Sequence, residues 1–84
     1  MNPKPGLYRH YKGQYYFLFN IAHHSETREA LAVYQCLYDD FSWWVRPLDM
    51  FMETVEIDGK IQPRFAFEKE ISLVDAESFK GSSS

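Results

Sequence analysis

A single, mostly β domain is what this sequence predicts, on three observations: the aromatic-rich alternating run at residues 15–22, the Asp58-Gly59 pair inside Val55-Glu56-Ile57-Asp58-Gly59-Lys60-Ile61, and the renewed alternation at Phe65 and Phe67. Strand side chains project to opposite faces in turn, so a two-residue period in large apolar residues marks a sheet. Asp-Gly accepts the positive backbone angles of a tight hairpin turn.

In chain order, Pro3, Pro5 and Gly6 make residues 1–6 an extended lead-in, because proline lacks an amide donor and restricts its predecessor. Residues 7–12 read as a strand with Leu7, Arg9 and Tyr11 on one face, Tyr8, His10 and Lys12 on the other, and Gly13 as the turn. In residues 15–22 the alternation places Tyr15, Phe17, Phe19 and Ile21 on a core face. Tyr16, Leu18, Asn20 and Ala22 lie opposite, so both sides are expected to be largely covered, as in a small barrel. Residues 23–28 are polar and form the main loop. Residues 29–38 fit either period, and a strand antiparallel to its predecessor is the simpler completion.

Residues 39–42 turn the chain into Trp43-Trp44-Val45-Arg46, with Trp43 and Val45 facing one way, Trp44 and Arg46 the other, and one Trp expected in the core. Pro47 ends that strand and opens a helical turn in which Leu48, Phe51 and Met52 are neighbours. The hairpin follows, then a closing strand with Phe65 and Phe67 inward. The resulting organisation is a lead-in at 1–6, one domain at 7–68 and a C-terminal segment at 69–84, in which 69–78 has no assigned structure and the terminal Gly-Ser tail is expected to fray.

Eighty-four residues suffice for one core and not for two. The net charge of −3 argues against broad attraction to phosphate backbones, so nucleic acid is not favoured as a partner. One cysteine, Cys36, excludes an intramolecular disulfide and a multi-cysteine zinc site, and is read as a buried, inert residue of a reduced compartment. No apolar run approaches the ~20 residues of a membrane span and no signal region opens the chain, so a cytoplasmic location without membrane contact is expected.

The stretches Pro5-Gly6-Leu7-Tyr8-Arg9-His10-Tyr11-Lys12-Gly13, His24-Ser25-Glu26-Thr27, Val33-Tyr34, Leu37-Tyr38, Trp44-Val45-Arg46-Pro47-Leu48 and Met50-Phe51 resemble the bacterial domain of unknown function 1653 family, in order and in approximate spacing. The resemblance implies a small cytosolic bacterial protein with an SH3-like, partly open five-stranded barrel and one short helical turn; it implies no particular activity. His23 stands where the family often carries Arg.

Four groups of residues carry chemistry worth weighing. Tyr8, Arg9, His10 and Tyr11 offer a planar donor, an imidazole and two phenols, suited to an anion or a flat ring or, more plainly, to cross-strand bonding. His23, His24 and Glu26, with Asp39 and Asp40, are metal-ligand types, but hairpin geometry sends their two loops to opposite ends of the strands. Ser25 beside His24 and Glu26 supplies the types for a nucleophile and base, yet sequence neighbours rarely share the needed geometry. Trp43, Trp44 and Arg46 set aromatic surface beside a guanidinium.

No nucleophile elbow, phosphate loop or paired-cysteine signature is present, and no cofactor is called for. The expectation is a non-catalytic binding or interaction module for a small ligand, peptide or nucleic-acid segment, or a protein partner. Its candidate ligand-binding residues are Arg9, His10, Tyr11, His24, Ser25, Glu26, Trp44 and Arg46. The alternative is a small hydrolase or metal-dependent enzyme using His24 and Glu26.

Overall fold

The computed structural model describes residues 3–81, so the expected fraying at residues 82–84 and the first two residues of the lead-in lie outside the described residues. Strands β1 (Gly6–His10), β2 (Tyr15–His23), β3 (Ala30–Cys36), β4 (Trp43–Pro47) and β7 (Phe65–Lys69) form one antiparallel sheet in the order β4-β3-β2-β1-β7. Helix α1 (Leu48–Phe51) follows β4; β5 (Thr54–Ile57) and β6 (Lys60–Pro63) make a separate two-stranded hairpin; α2 (Leu73–Gly81) ends the chain. The fold is mostly β, as the alternation predicts. Its main sheet has two unpaired edges, β4 and β7, and does not close into a barrel, an arrangement compatible with the SH3-like expectation.

The sheet is buried on both faces by different means. On its front, Tyr8, Leu18, Ala32, Tyr34, Phe51 and Phe65 form the larger core, with Tyr16, Ile21 and Leu48 packed against it. Phe51 enters from α1, directly after Pro47 has ended β4, and is 2% exposed. Pro47 is the N-cap rather than the first helical residue, and its fixed φ of −50° starts the turn without needing an amide donor. On the back, Leu7, Phe17 and Leu37 meet Ala76 of α2, with Phe41 and Ile71 alongside.

Both flanking turns follow the predicted chemistry. Asp58 and Gly59 take φ of 52° and 80° between Ile57 and Lys60, the paired ends of the hairpin. The β1–β2 turn uses Gly13 at φ 108°, closed by the Gly13 amide donating to the His10 carbonyl at 2.7 Å.

Four expectations are corrected. A β-bulge between Leu18 and Asn20 reverses the phase of β2, so Ile21 faces the front with Leu18 while Phe19 remains on the back, 43% exposed. Phe65 is buried as expected, but Phe67 is half-exposed at the β7 edge, its ring meeting Tyr8 at 5.4 Å. Neither tryptophan enters the core, because β4 is an edge strand. Of residues 69–78, which the sequence leaves unassigned, 73–78 are helical, and the helix runs on through Gly81, where the tail is expected to fray: the Asp75 carboxylate accepts from the Ser72 amide at 3.0 Å and the Ser72 hydroxyl from the Asp75 amide at 3.2 Å, a reciprocal cap.

Gly6 joins β1 to the sheet edge at φ 152°, and a Cβ there would lie 2.6 Å from the Lys69 carbonyl oxygen. Both the backbone angle and the space demand glycine, so Gly6→Ala is expected to lower stability by about 1–3 kcal/mol. Urea unfolding of the variant checks this; an unchanged midpoint would contradict the assigned β1–β7 register.

Candidate functional site

The front face beside the core carries the largest concentration of polar aromatic chemistry. Register dictates it: Leu18 pairs with Tyr34 and Tyr34 with Trp44, while Ala32 pairs with Arg46, so alternate residues of β3 and β4 lie side by side on one face. Tyr16 and Tyr38 complete the wall. These five side chains, Tyr16, Tyr34, Tyr38, Trp44 and Arg46, line a concavity of about 260 Å³. It is open to solvent through Trp44, which is 56% exposed.

Hydrogen bonds fix its geometry. The Arg46 Nε donates to the Tyr34 hydroxyl at 3.3 Å, and the Tyr16 and Tyr38 hydroxyls share a bond of 2.7 Å. The Trp44 indole N–H donates to the Ser42 hydroxyl at 2.7 Å, which holds the indole beside the guanidinium. The Tyr34 ring packs on Phe51 and Phe65 at 5.7 and 5.9 Å, so the floor of the site is the roof of the core. Burial, then the bond to Tyr38, pushes the Tyr16 phenol well above its ordinary range, so it stays protonated. Among the described residues no carboxylate pairs with Arg46; the ion pair present joins Arg64 to Glu53 at 2.9 Å.

His10 borders this face, its ring 6.1 Å from that of Tyr16 and 5.0 Å from that of Phe65. Its Nδ1 accepts from the Lys12 amide at 3.2 Å, which leaves Nε2 to carry the proton of the neutral ring. Burial, and then the charges of Arg64, Lys12 and Arg46, hold His10 below the ordinary histidine value. This part of the surface is therefore locally cationic in a chain of net charge −3.

The remaining sequence candidates fall elsewhere. Arg9, His10 and Tyr11 line a second concavity of about 290 Å³ on the rim, with Gln62, Pro63, Ala66 and Glu68. His24, Ser25 and Glu26 sit on the exposed β2–β3 loop, where the His24 Nδ1 accepts from the Glu26 and Thr27 amides at 3.1 and 3.3 Å. That imidazole organises its own loop. Asp39 and Asp40 lie on the β3–β4 loop, and antiparallel pairing of β2, β3 and β4 sets the two loops at opposite ends of the sheet. Among the described residues no group of three or more His, Cys, Asp and Glu is placed to hold a metal ion, and no helix is long and apolar enough to cross a membrane. Cys36 is buried, as expected, its thiol 3.5 Å from the Ser42 carbonyl oxygen.

Sequence reasoning named Trp44 and Arg46 but missed the three tyrosines around them. Tyr8 does not join them: it is buried against Phe51 and donates its hydroxyl to the Lys4 carbonyl at 2.6 Å. Tyr34 and Tyr38 share parity along β3 and the residues beyond it, and that parity was the available signal once a strand was chosen.

Comparison with known proteins agrees with this fold. Residues 6–67 match the family model described as a protein of unknown function, DUF1653. The chain belongs to the DUF1653 family. The chain is also similar to a DUF1653 protein from Bordetella bronchiseptica known from a crystal structure, with 38% identity, a TM-score of 0.74, and coverage of 83% of this chain and 92% of that one. No curated protein matches the chain significantly. The matched span of this DUF1653 chain takes in β1 through most of β7 and every residue of the front-face concavity, and stops short of α2.

A pH dependence follows from His10. Its ring takes up a proton less readily in the folded state than its ordinary value of 6.5, so the unfolded chain is protonated first as the pH falls. Stability from this source is complete above that value and declines below it. Urea midpoints at pH 7 and pH 5 should therefore differ more in the parent protein than in His10→Gln, whereas equal differences would contradict the assignment.

Proposed function

We propose that this DUF1653 domain is a non-catalytic binding module whose front-face concavity receives a small flat ligand against Trp44 and the tyrosines, with Arg46 as its anchor. The observation that carries this reading is the state of Arg46. A half-buried guanidinium set among aromatic rings, bonded through Nε to one phenol and without a carboxylate partner among the described residues, keeps its outer N–H groups available. Arg64, by contrast, has its guanidinium committed to the Glu53 carboxylate at 2.9 Å. Trp44 adds a broad ring fixed in orientation by Ser42, suited to stacking.

The site volume favours a single ring over a long peptide or an oligonucleotide, being smaller than the ~300–1,000 Å³ of drug-sized pockets. Net negative charge also disfavours a polyanion. The residues here are suited to binding and orienting, and the His24 ring, the base of an enzymatic reading, is committed to its own loop on another part of the molecule.

Amide-shift titration of labelled protein against a set of small aromatic metabolites tests the reading. Shifts should cluster at residues 16, 34, 38 and 43–46, and Trp44→Ala should weaken binding roughly tenfold, as expected for the loss of about 1–3 kcal/mol of stacking. Shifts confined to residues 23–27, or a Trp44→Ala protein that binds as the parent does, would overturn it.

A further inference from the structure

Resting on that reading, the donor inventory of the concavity points to the class of its ligand: we infer that the ligand is an oxyanion borne on a flat ring, a carboxylate or phosphate whose oxygens meet Arg46 and the phenolic hydroxyls while the ring lies on Trp44. The hydrogen-bond directions decide it. The Tyr34 hydroxyl accepts from Arg46 Nε, so its own proton is free to donate outward. The Tyr16 and Tyr38 hydroxyls share one proton in their mutual bond, which leaves the other for a ligand. The two terminal nitrogens of Arg46 carry further donors in a planar fork that matches two oxygens of one anionic group. Among the described residues no carboxylate lines the site, so a ligand cation would find no counter-charge from them there.

Charge outside the cavity acts in the same direction. Lys12 and Arg64 both bear on His10, which borders the same face; Arg64 is compensated by Glu53, so Lys12 is the outer charge that attracts an anion placed there. A neutral ring would stack on Trp44 but leave the guanidinium fork and two hydroxyl protons to water.

The test is a ligand series on the unmodified protein, followed by resonances of the Trp44 indole N–H and of residues 32–38: benzoate, phenyl phosphate, benzyl alcohol and benzylamine, each at constant ionic strength. Benzoate or phenyl phosphate should bind at least tenfold more tightly than benzyl alcohol, with benzylamine weakest, and the tighter of the two anions identifies the acid group. The anion preference should vanish in Arg46→Gln, whose folding is checked by an undisturbed amide spectrum elsewhere. Equal binding of benzyl alcohol and the anions would overturn the oxyanion inference and leave the ring-binding reading standing. Absence of shifts with all four at millimolar concentration would overturn both.

Discussion

Burial of Phe51 is the constraint on which the rest of the front face depends. Its ring stacks on Phe65 with centroids 4.5 Å apart and planes within 7°, and meets Tyr8 edge-on at 5.3 Å and Tyr34 at 5.7 Å. One four-residue helix thereby ties β1, β3 and β7 together from a point far along the chain. The aromatic contacts add to area burial through ring geometry, which an aliphatic plug would supply less well. Tyr34 belongs to both worlds: its ring is core and its hydroxyl is the partner of Arg46. Loss of the plug would loosen the guanidinium as well as the sheet.

Two-sided burial of a five-stranded sheet in a chain this short needs cover from separate segments. The front is covered by α1 and the back by α2, through Ala76 among others. Small size at Ala76 lets the α2 backbone approach Leu7, Phe17 and Leu37 closely. Gln35 lies in the same back-face row as Phe17 and Trp43, 1% exposed, and its amide donates to the Phe41 carbonyl at 3.0 Å. That bond anchors the β3–β4 loop, where Asp39 and Phe41 both take left-handed backbone angles near φ 56°. The loop in turn presents Ser42 to Trp44, so a buried amide on one face supports the indole on the other.

Much of this was legible in the residues, for local reasons. The Asp-Gly hairpin, the Gly13 turn, the Pro47-to-Phe51 plug and the opposed faces of Trp44/Arg46 and Trp43/Val45 all follow from turn chemistry or strict alternation. The phase of β2 beyond Leu18 was not, because a bulge has no dedicated residue signature among large apolar side chains. Burial of the tryptophans was misread since alternation gives a face but not whether a strand is central or at an edge. α2 had a readable sign in Ser72 followed three residues later by Asp75, but its apolar residues Leu73 and Val74 are exposed, and the buried contact is a small alanine. Of the eight candidate ligand-binding residues, the structure separates three on the β2–β3 loop, three on the rim and two at the front-face concavity; sequence order brings residue types together more readily than it brings side chains together.

Phe51 is a structural keystone rather than a surface helix residue. Urea unfolding of Phe51→Ala measures this most directly: a loss of about 3–5 kcal/mol is expected for removing a fully buried phenylalanine from a packed aromatic layer. A loss below about 1 kcal/mol, the range of substitutions away from a packed core, would contradict it.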